Sequence, residues 1–218
     1  MYINKILLCL FCSVSSMAAF SQEDINSESF KFSFVPGNGE AKVIYNGKSH
    51  AFSFMLSGKT IKQSKTNGKS GNMEFIDVDT AILQTSFVPL PQPIPGGMLL
   101  SQLTEQQQRE TLDGYVNYEL AYLREDLKLK LKNSHKEWLT INSRLFLIWS
   151  FETERPPSTS ETIKTFSGQV YFSAICFNLV LDLNTPFGGQ SRLEPSKKFL
   201  AQIANSLTTY NNRLELKN

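Results

Sequence analysis

The chain has 218 residues, of which 41% are hydrophobic, 11% aromatic and 19% charged, with 16 Phe among them. That apolar content can build a substantial core and excludes disorder as the description of most of the chain. With 22 basic against 20 acidic side chains, the near-neutral balance gives no electrostatic reason to expect nucleic acid or an anionic membrane surface as a partner.

The first 21 residues read as a secretory signal peptide. Lys5 supplies a positive start, residues 6–14 are apolar (Ile-Leu-Leu-Cys-Leu-Phe-Cys-Ser-Val), and Ala19 and Ser21 are the small residues a signal peptidase reads. The apolar run is too short for a permanent membrane span, and no later stretch approaches about 18 apolar residues. Cleavage after Ser21 leaves 197 residues with a net charge of +1. It also removes Cys9 and Cys12, neither of which has the small residues that precede a lipidated cysteine. Cys176 remains alone, so no internal disulfide can form and the mature protein must stand on its own core.

Residues 22–28 are a polar, flexible leader, 29–213 a single domain, and 214–218 a frayed tail. Phe30, Phe32 and Phe34 alternate with Lys31 and Ser33, the period of a strand with one buried face. The run 36–39 (Pro-Gly-Asn-Gly) breaks it. Residues 41–45 form a second strand, and Asn46-Gly47 predicts a hairpin turn with positive φ at both residues. A third strand carries Ala51, Phe52, Phe54 and Leu56. Residues 57–72 read as an exposed connection, and strands return over 73–78 and 81–88. The proline-rich run 89–97 favours polyproline II and reads as a rigid spacer or lid. Thr104 and Gln107 make a capping box for a helix striped with Leu112, Val116, Leu120, Leu123 and Leu127 and flanked by Tyr115, Tyr118 and Tyr122.

At residues 127–132 strict Leu-Lys alternation replaces the helical stripe. A strand would place Lys128, Lys130 and Lys132 on one solvated face and three leucines opposite. The helix therefore ends near Glu125 and a strand starts near Leu127, with a helix continuing to Asn133 as the rival. Ser134-His135 reads as a polar turn. Residues 138–141, Asn142-Ser143 and residues 145–152 then form a hairpin whose second arm is almost wholly apolar and so internal to the sheet. A polar loop over 155–167, strands at 170–175 and 179–183, a turn-rich stretch at 186–192, and a closing helix complete the order. That helix has Pro195 in the first-residue position and buries Phe199, Leu200, Ile203 and Leu207. Helices do not alternate with single strands, so the class is α+β: an antiparallel sheet packed by a long central helix and a C-terminal helix.

This order, with Tyr-Glu-Leu-Ala-Tyr-Leu (118–123), Leu-Lys-Leu-Lys-Leu-Lys (127–132), Trp-Leu-Thr-Ile-Asn (138–142) and Leu-Phe-Leu-Ile-Trp-Ser-Phe (145–151), resembles the PsbP-like superfamily of secreted and lumenal proteins. Ser143 stands where that family tends to have Gly, and residues 89–97 look like an insertion. The resemblance implies an α/β/α sandwich serving as an accessory or binding module without catalytic residues.

No constellation in the sequence selects a site. Cys176 ends an apolar alternation (Val170, Phe172, Ala174) and reads as a structural thiol, with His50 and His135 not placed beside it by spacing. Neither histidine has a second ligand at zinc spacing. Glu74, Asp77 and Asp79 lack the loop glycine and distal Glu of a calcium loop. No Gly-x-Ser-x-Gly elbow is present, and Gly96-Gly97 and Gly188-Gly189 are ordinary turn pairs. Trp138, Trp149, Tyr171 and the helix tyrosines fit core and rim aromatics better than a ligand cleft. The expectation is an exported, periplasmic, non-catalytic domain with no cofactor or metal, binding an envelope protein or small ligand through a sheet face or the loops 57–72, 89–97 and 155–167. The alternative is an exported hydrolase whose two carboxylates meet from distant positions.

Overall fold

The computed structural model describes residues 30–47, 50–63, 73–90, 103–154, 167–177 and 179–210. The expected signal peptide and leader, residues 91–97 of the proline-rich run, residues 64–72 and 155–166 of the polar connections, and the expected tail lie outside the described residues.

Eleven strands and two α-helices are described. In order they are β1 (Lys31–Pro36), β2 (Glu40–Asn46), β3 (Ala51–Ser57), β4 (Ile61–Gln63), β5 (Met73–Val78), β6 (Ala81–Pro89), α1 (Glu105–Glu125), β7 (Leu131–Ile141), β8 (Arg144–Thr153), β9 (Gly168–Cys176), β10 (Leu179–Phe187), α2 (Leu193–Asn205) and β11 (Thr208–Tyr210). The fold is α+β, and every strand pair is antiparallel. The strands divide between two sheets instead of one: β1-β2-β3-β11, and β4-β5-β6-β10-β9-β8-β7.

Alternation along the strands gives the large sheet two buried faces. Phe146 and Ile148 of β8, Val170 and Phe172 of β9, and Leu181 and Leu183 of β10 face one core, shared with the small sheet and α2. Leu147, Trp149, Phe151, Ile175 and Val180 face a second core under α1. A strand buried on both sides must be apolar at every position, which explains the continuous run of β8. The two sheets are pinned by aromatic packing, with Phe87 of β6 against Tyr45, Phe52 and Phe30 at centroid distances of 4.7, 4.7 and 5.5 Å.

Gly58 carries the chain from one sheet to the other. A Cβ there would lie 2.9 Å from Val78 Cγ1 and 3.1 Å from Asp79 Oδ2, so only glycine allows the close approach. Next to it, the Thr60 N–H donates to Asp79 Oδ1 and the Asp79 N–H to the Thr60 carbonyl, at 2.8 and 2.7 Å. The stretch expected to be an exposed connection therefore contains an edge strand, β4.

Several local expectations are corrected. Asn46 and Gly47 are not at the hairpin apex. Asn46 pairs with Ala51, and the Gly47 N–H donates to the His50 carbonyl at 2.9 Å, so both residues still belong to the paired arms. A turn at Asn46-Gly47 would place Lys48 and His50 inward beside Tyr45 and Val43. The observed register puts Phe52 and Phe54 there, and burial decides the register.

The helix ends at Glu125, as expected, but the following strand starts at Leu131 instead of Leu127. Lys128 takes φ 54°, and the Leu129 N–H donates back to the Leu123 carbonyl at 2.9 Å, a left-handed helix stop. Pairing begins only where β8 offers a partner, Leu131 opposite Thr153. The facing is as expected: Leu127, Leu129 and Leu131 pack against the α1 core while Lys128, Lys130 and Lys132 are exposed.

Ser134-His135 is not a turn. A bulge between Lys132 and His135, with Asn133 at φ 52°, lets β7 run through it. At the C-terminal end, α2 starts two residues before Pro195, directly after a short 3-10 turn (Gln190–Arg192), and Leu207 lies beyond the helix, leading into β11, a strand not foreseen.

Candidate functional site

The chemistry-bearing groups gather in the seam between α1 and the large sheet. The buried stripe of α1 is Leu112, Tyr115, Val116, Leu120 and Leu123. A tyrosine in such a stripe must find a partner for its hydroxyl. Tyr115 OH donates to Asp182 Oδ2 of β10 at 2.5 Å. Asp182 Oδ1 accepts from Ser173 Oγ of β9, and Ser173 Oγ accepts from Trp149 Nε1 of β8 at 2.8 Å. The Trp149 ring is stacked on Tyr171 with centroids 3.9 Å apart.

The register explains the gathering. Asp182 lies opposite Ser86 of β6 and Ser173 of β9, and Asn184 lies opposite Gln84 and Tyr171. Paired residues share a face, so the side of β6, β10 and β9 turned toward the α1 core carries Gln84, Ser86, Asp182, Asn184, Gln169 and Ser173, all buried. Asn184 Nδ2 donates to Gln169 Oε1 and to the Val170 carbonyl, both at 3.0 Å.

Asp182 is 2% exposed. Burial pushes its carboxyl up to about 6, against the pull of the Ser173 and Tyr115 hydrogen bonds. Glu119 lies one helical turn beyond Tyr115, and burial followed by the Asp182 charge pushes it up to about 7. Burial and then the Asp182 charge hold the Tyr115 phenol well above its ordinary range, so it stays neutral and donates. Both Asp182 oxygens are spent on internal hydroxyls. Among the described residues no buried side-chain polar atom lacks a partner.

The residues weighed in the sequence are dispersed. Cys176 is buried in the core shared with the small sheet, where burial raises its thiol and Arg144 opposes that, Nη1 lying 3.7 Å from Sγ. The His50 ring packs on Phe177 at 4.1 Å, whereas His135 is exposed on β7. Glu74 accepts from Gln63 Nε2 at 3.2 Å, and Asp79 sits in the β5–β6 turn at φ 52°. Among the described residues no three His, Cys, Asp or Glu side chains converge on a metal position. Trp138 is covered by the Arg109 guanidinium at 4.6 Å. A separate open recess of about 240 Å³ lies where the β1–β2 turn meets the β3–β4 connection, rimmed by Lys59 and Lys62.

The seam cluster was missed in the sequence, although a signal existed. Asp182 and Asn184 interrupt an apolar strand at alternate positions, as Gln84 and Ser86 do in β6. Only the pairing register shows that they share one face.

No protein-family model matches the chain, and no curated protein matches it significantly. Among solved structures it is similar to the solution structure of cyanobacterial PsbP (CyanoP) from Synechocystis sp. PCC 6803. Identity is 11%, the match covers 88% of this chain and 99% of that one, and the TM-score is 0.45.

Proposed function

We propose that this protein is an exported, non-catalytic accessory domain of the cell envelope that binds a protein or small ligand. The filled seam carries this reading. Among the described residues, the place where acids, hydroxyls and aromatics converge is closed on itself, with Asp182 engaged at both oxygens. A hydrolase needs its carboxylates to reach a substrate across a cleft. Export is supported by Lys5, the apolar run 6–14 and the small residues Ala19 and Ser21. Among the described residues no helix is long and apolar enough to cross a membrane.

The competing reading, an exported hydrolase, draws on Asp182 and Glu119, two acids whose carboxyls burial raises. Two measurements on the full chain, expressed in its own cell, decide between them. The mature protein is expected to begin at Gln22, to fractionate with the periplasm, and to cross-link to an envelope partner. Substitutions in the loops 57–72, 89–97 and 155–167 are expected to weaken that cross-link, and no effect from any of the three sinks the loop assignment. Recovery of uncleaved cytoplasmic protein overturns export. A hydrolytic activity of the purified protein that disappears in folded Glu119→Gln overturns the non-catalytic reading.

A further inference from the structure

An open sheet ends in edge strands, whose unpaired backbone donors and acceptors must be guarded or used. The edges here are β1, β11, β4 and β7. Three of them offer little. β4 and β11 are three residues long. In β1 the bond from the Gly37 N–H to the Glu40 carbonyl fixes the alternation, so Phe32, Phe34 and Pro36 turn their backbone outward, and Pro36 has no N–H to offer. β7 is different. It is 11 residues long, and its bulge is confined to the Lys132–His135 end. The two-residue turn at Asn142-Ser143 makes Ile141 and Arg144 a hydrogen-bonded pair. By alternation, Leu139, Glu137 and His135 also bond to β8, and Lys136, Trp138 and Thr140 present their N–H and C=O groups outward. Among the described residues no turn, loop or side chain bonds to those outward groups. Nothing guards the stretch: it has no proline, Lys136 is drawn toward α1 by Asp113 and Asn117, and Leu139 is 38% exposed.

We propose that this edge joins two copies of the chain, β7 pairing antiparallel with the partner's β7 about a two-fold axis at Trp138. The register follows from the outward set. Centring on Trp138 is the only antiparallel register that maps Lys136, Trp138 and Thr140 onto themselves, so that every outward residue finds a bonding partner. Trp138 then pairs with the partner's Trp138, and Lys136 with the partner's Thr140. Between them, Glu137 falls opposite the partner's Leu139, and His135 opposite the partner's Ile141. No like charges face each other, whereas centring on Lys136 or Glu137 would set each against its own copy. The two Trp138 rings, each under its own Arg109 at 4.6 Å, meet on the α1 side as a cross-strand aromatic pair. Leu139 is covered on the other side. The contact is isologous, so it closes at two copies and removes the long open edge of the large sheet.

Sedimentation of the purified protein over about 1–100 µM is expected to show a monomer–dimer equilibrium with no larger species. Thr140→Pro deletes an outward N–H without breaking a bond to β8 and should leave a monomer. Thr140 is exposed, so Thr140→Lys and Thr140→Glu keep the test decisive if the proline variant does not fold. They differ in the sign of the charge set opposite the partner's Lys136. Thr140→Lys should weaken the dimer about tenfold, and Thr140→Glu should hold it at least as tightly as wild type. Residue-resolved amide exchange reads the register. As concentration rises, the Trp138 and Thr140 amides should gain protection, whereas the Leu139 amide, already bonded to β8, should not change. A monomer at every concentration overturns the proposal, including one whose β7 amides are protected only when an envelope partner is added. A dimer in which the two charge variants behave alike, or protection spread evenly over residues 136–140, also overturns it.

Discussion

Asn142 and Ser143 make the β7–β8 turn with φ of 49° and 62°, the two consecutive positive values of a type I′ hairpin. Asn tolerates that region because its short amide can bond locally, and here its Nδ2 also donates to the Asn205 carbonyl at the end of α2, at 2.7 Å. Ser143 is exposed and has no such compensation from its turn. A non-glycine residue in the left-handed region costs roughly 1–2 kcal/mol, and a glycine loses somewhat more chain entropy on folding. Ser143→Gly is therefore expected to stabilise the protein by about 0.5–1 kcal/mol, read as a higher urea midpoint with unchanged slope. The opposite expectation attaches to Gly168. Phe187 lies directly across the β9–β10 ladder, and a Cβ on Gly168 would stand 2.2 Å from its Cζ. The Phe187 ring is 2% exposed and packed into the core. Gly168→Ala should cost about 1–3 kcal/mol by forcing that ring to shift, and a thermal midpoint equal to wild type would count against the packing described.

At the scale of elements, α1 is the best case of a local signal deciding a local structure. Thr104 Oγ1 accepts from the Gln107 N–H at 3.2 Å, and Gln107 Oε1 accepts from the Thr104 N–H at 2.9 Å. The box starts the helix at the residue the sequence indicates, and Thr104→Ala should lose about 1 kcal/mol, seen as a lower urea midpoint and faster amide exchange in the first turn of α1. Where a signal depended on a distant partner, it was only half legible. The Leu-Lys alternation of residues 127–132 correctly assigned faces, yet it could not say that β8 ends at Thr153 and so has no partner for residue 128. Asn46-Gly47 was a strong local turn signal overruled by the burial of Phe52 and Phe54. β11 is three residues long and exists only because β3 has an open edge beside it. Ser173 and Asp182 are adjacent only through the register of β9 on β10, so the seam cluster could not be found from spacing along the chain.

At the scale of the whole molecule, the large sheet is a common wall between two cores, and this governs how damage spreads. The small sheet and α2 share one core with it, and α1 shares the other. Alternate residues of β8, β9 and β10 belong to opposite cores, so neither core can be dismantled without disturbing strands that serve the other. Phe87 sits at the centre of the aromatic contacts between the sheets, whereas Trp149 lies on the far face under α1. Phe87→Ala should cost about 3–5 kcal/mol, the range for a truncated buried phenylalanine. If the wall couples the cores, the loss will appear fully in a reporter that Phe87 does not touch. Trp149 fluorescence and far-ultraviolet circular dichroism should shift to lower urea together, as one transition with coincident midpoints. Separation of the two curves, with the fluorescence transition left at its wild-type position, would mean that the α1 core survives loss of the inter-sheet core and that the strands between them do not transmit the damage.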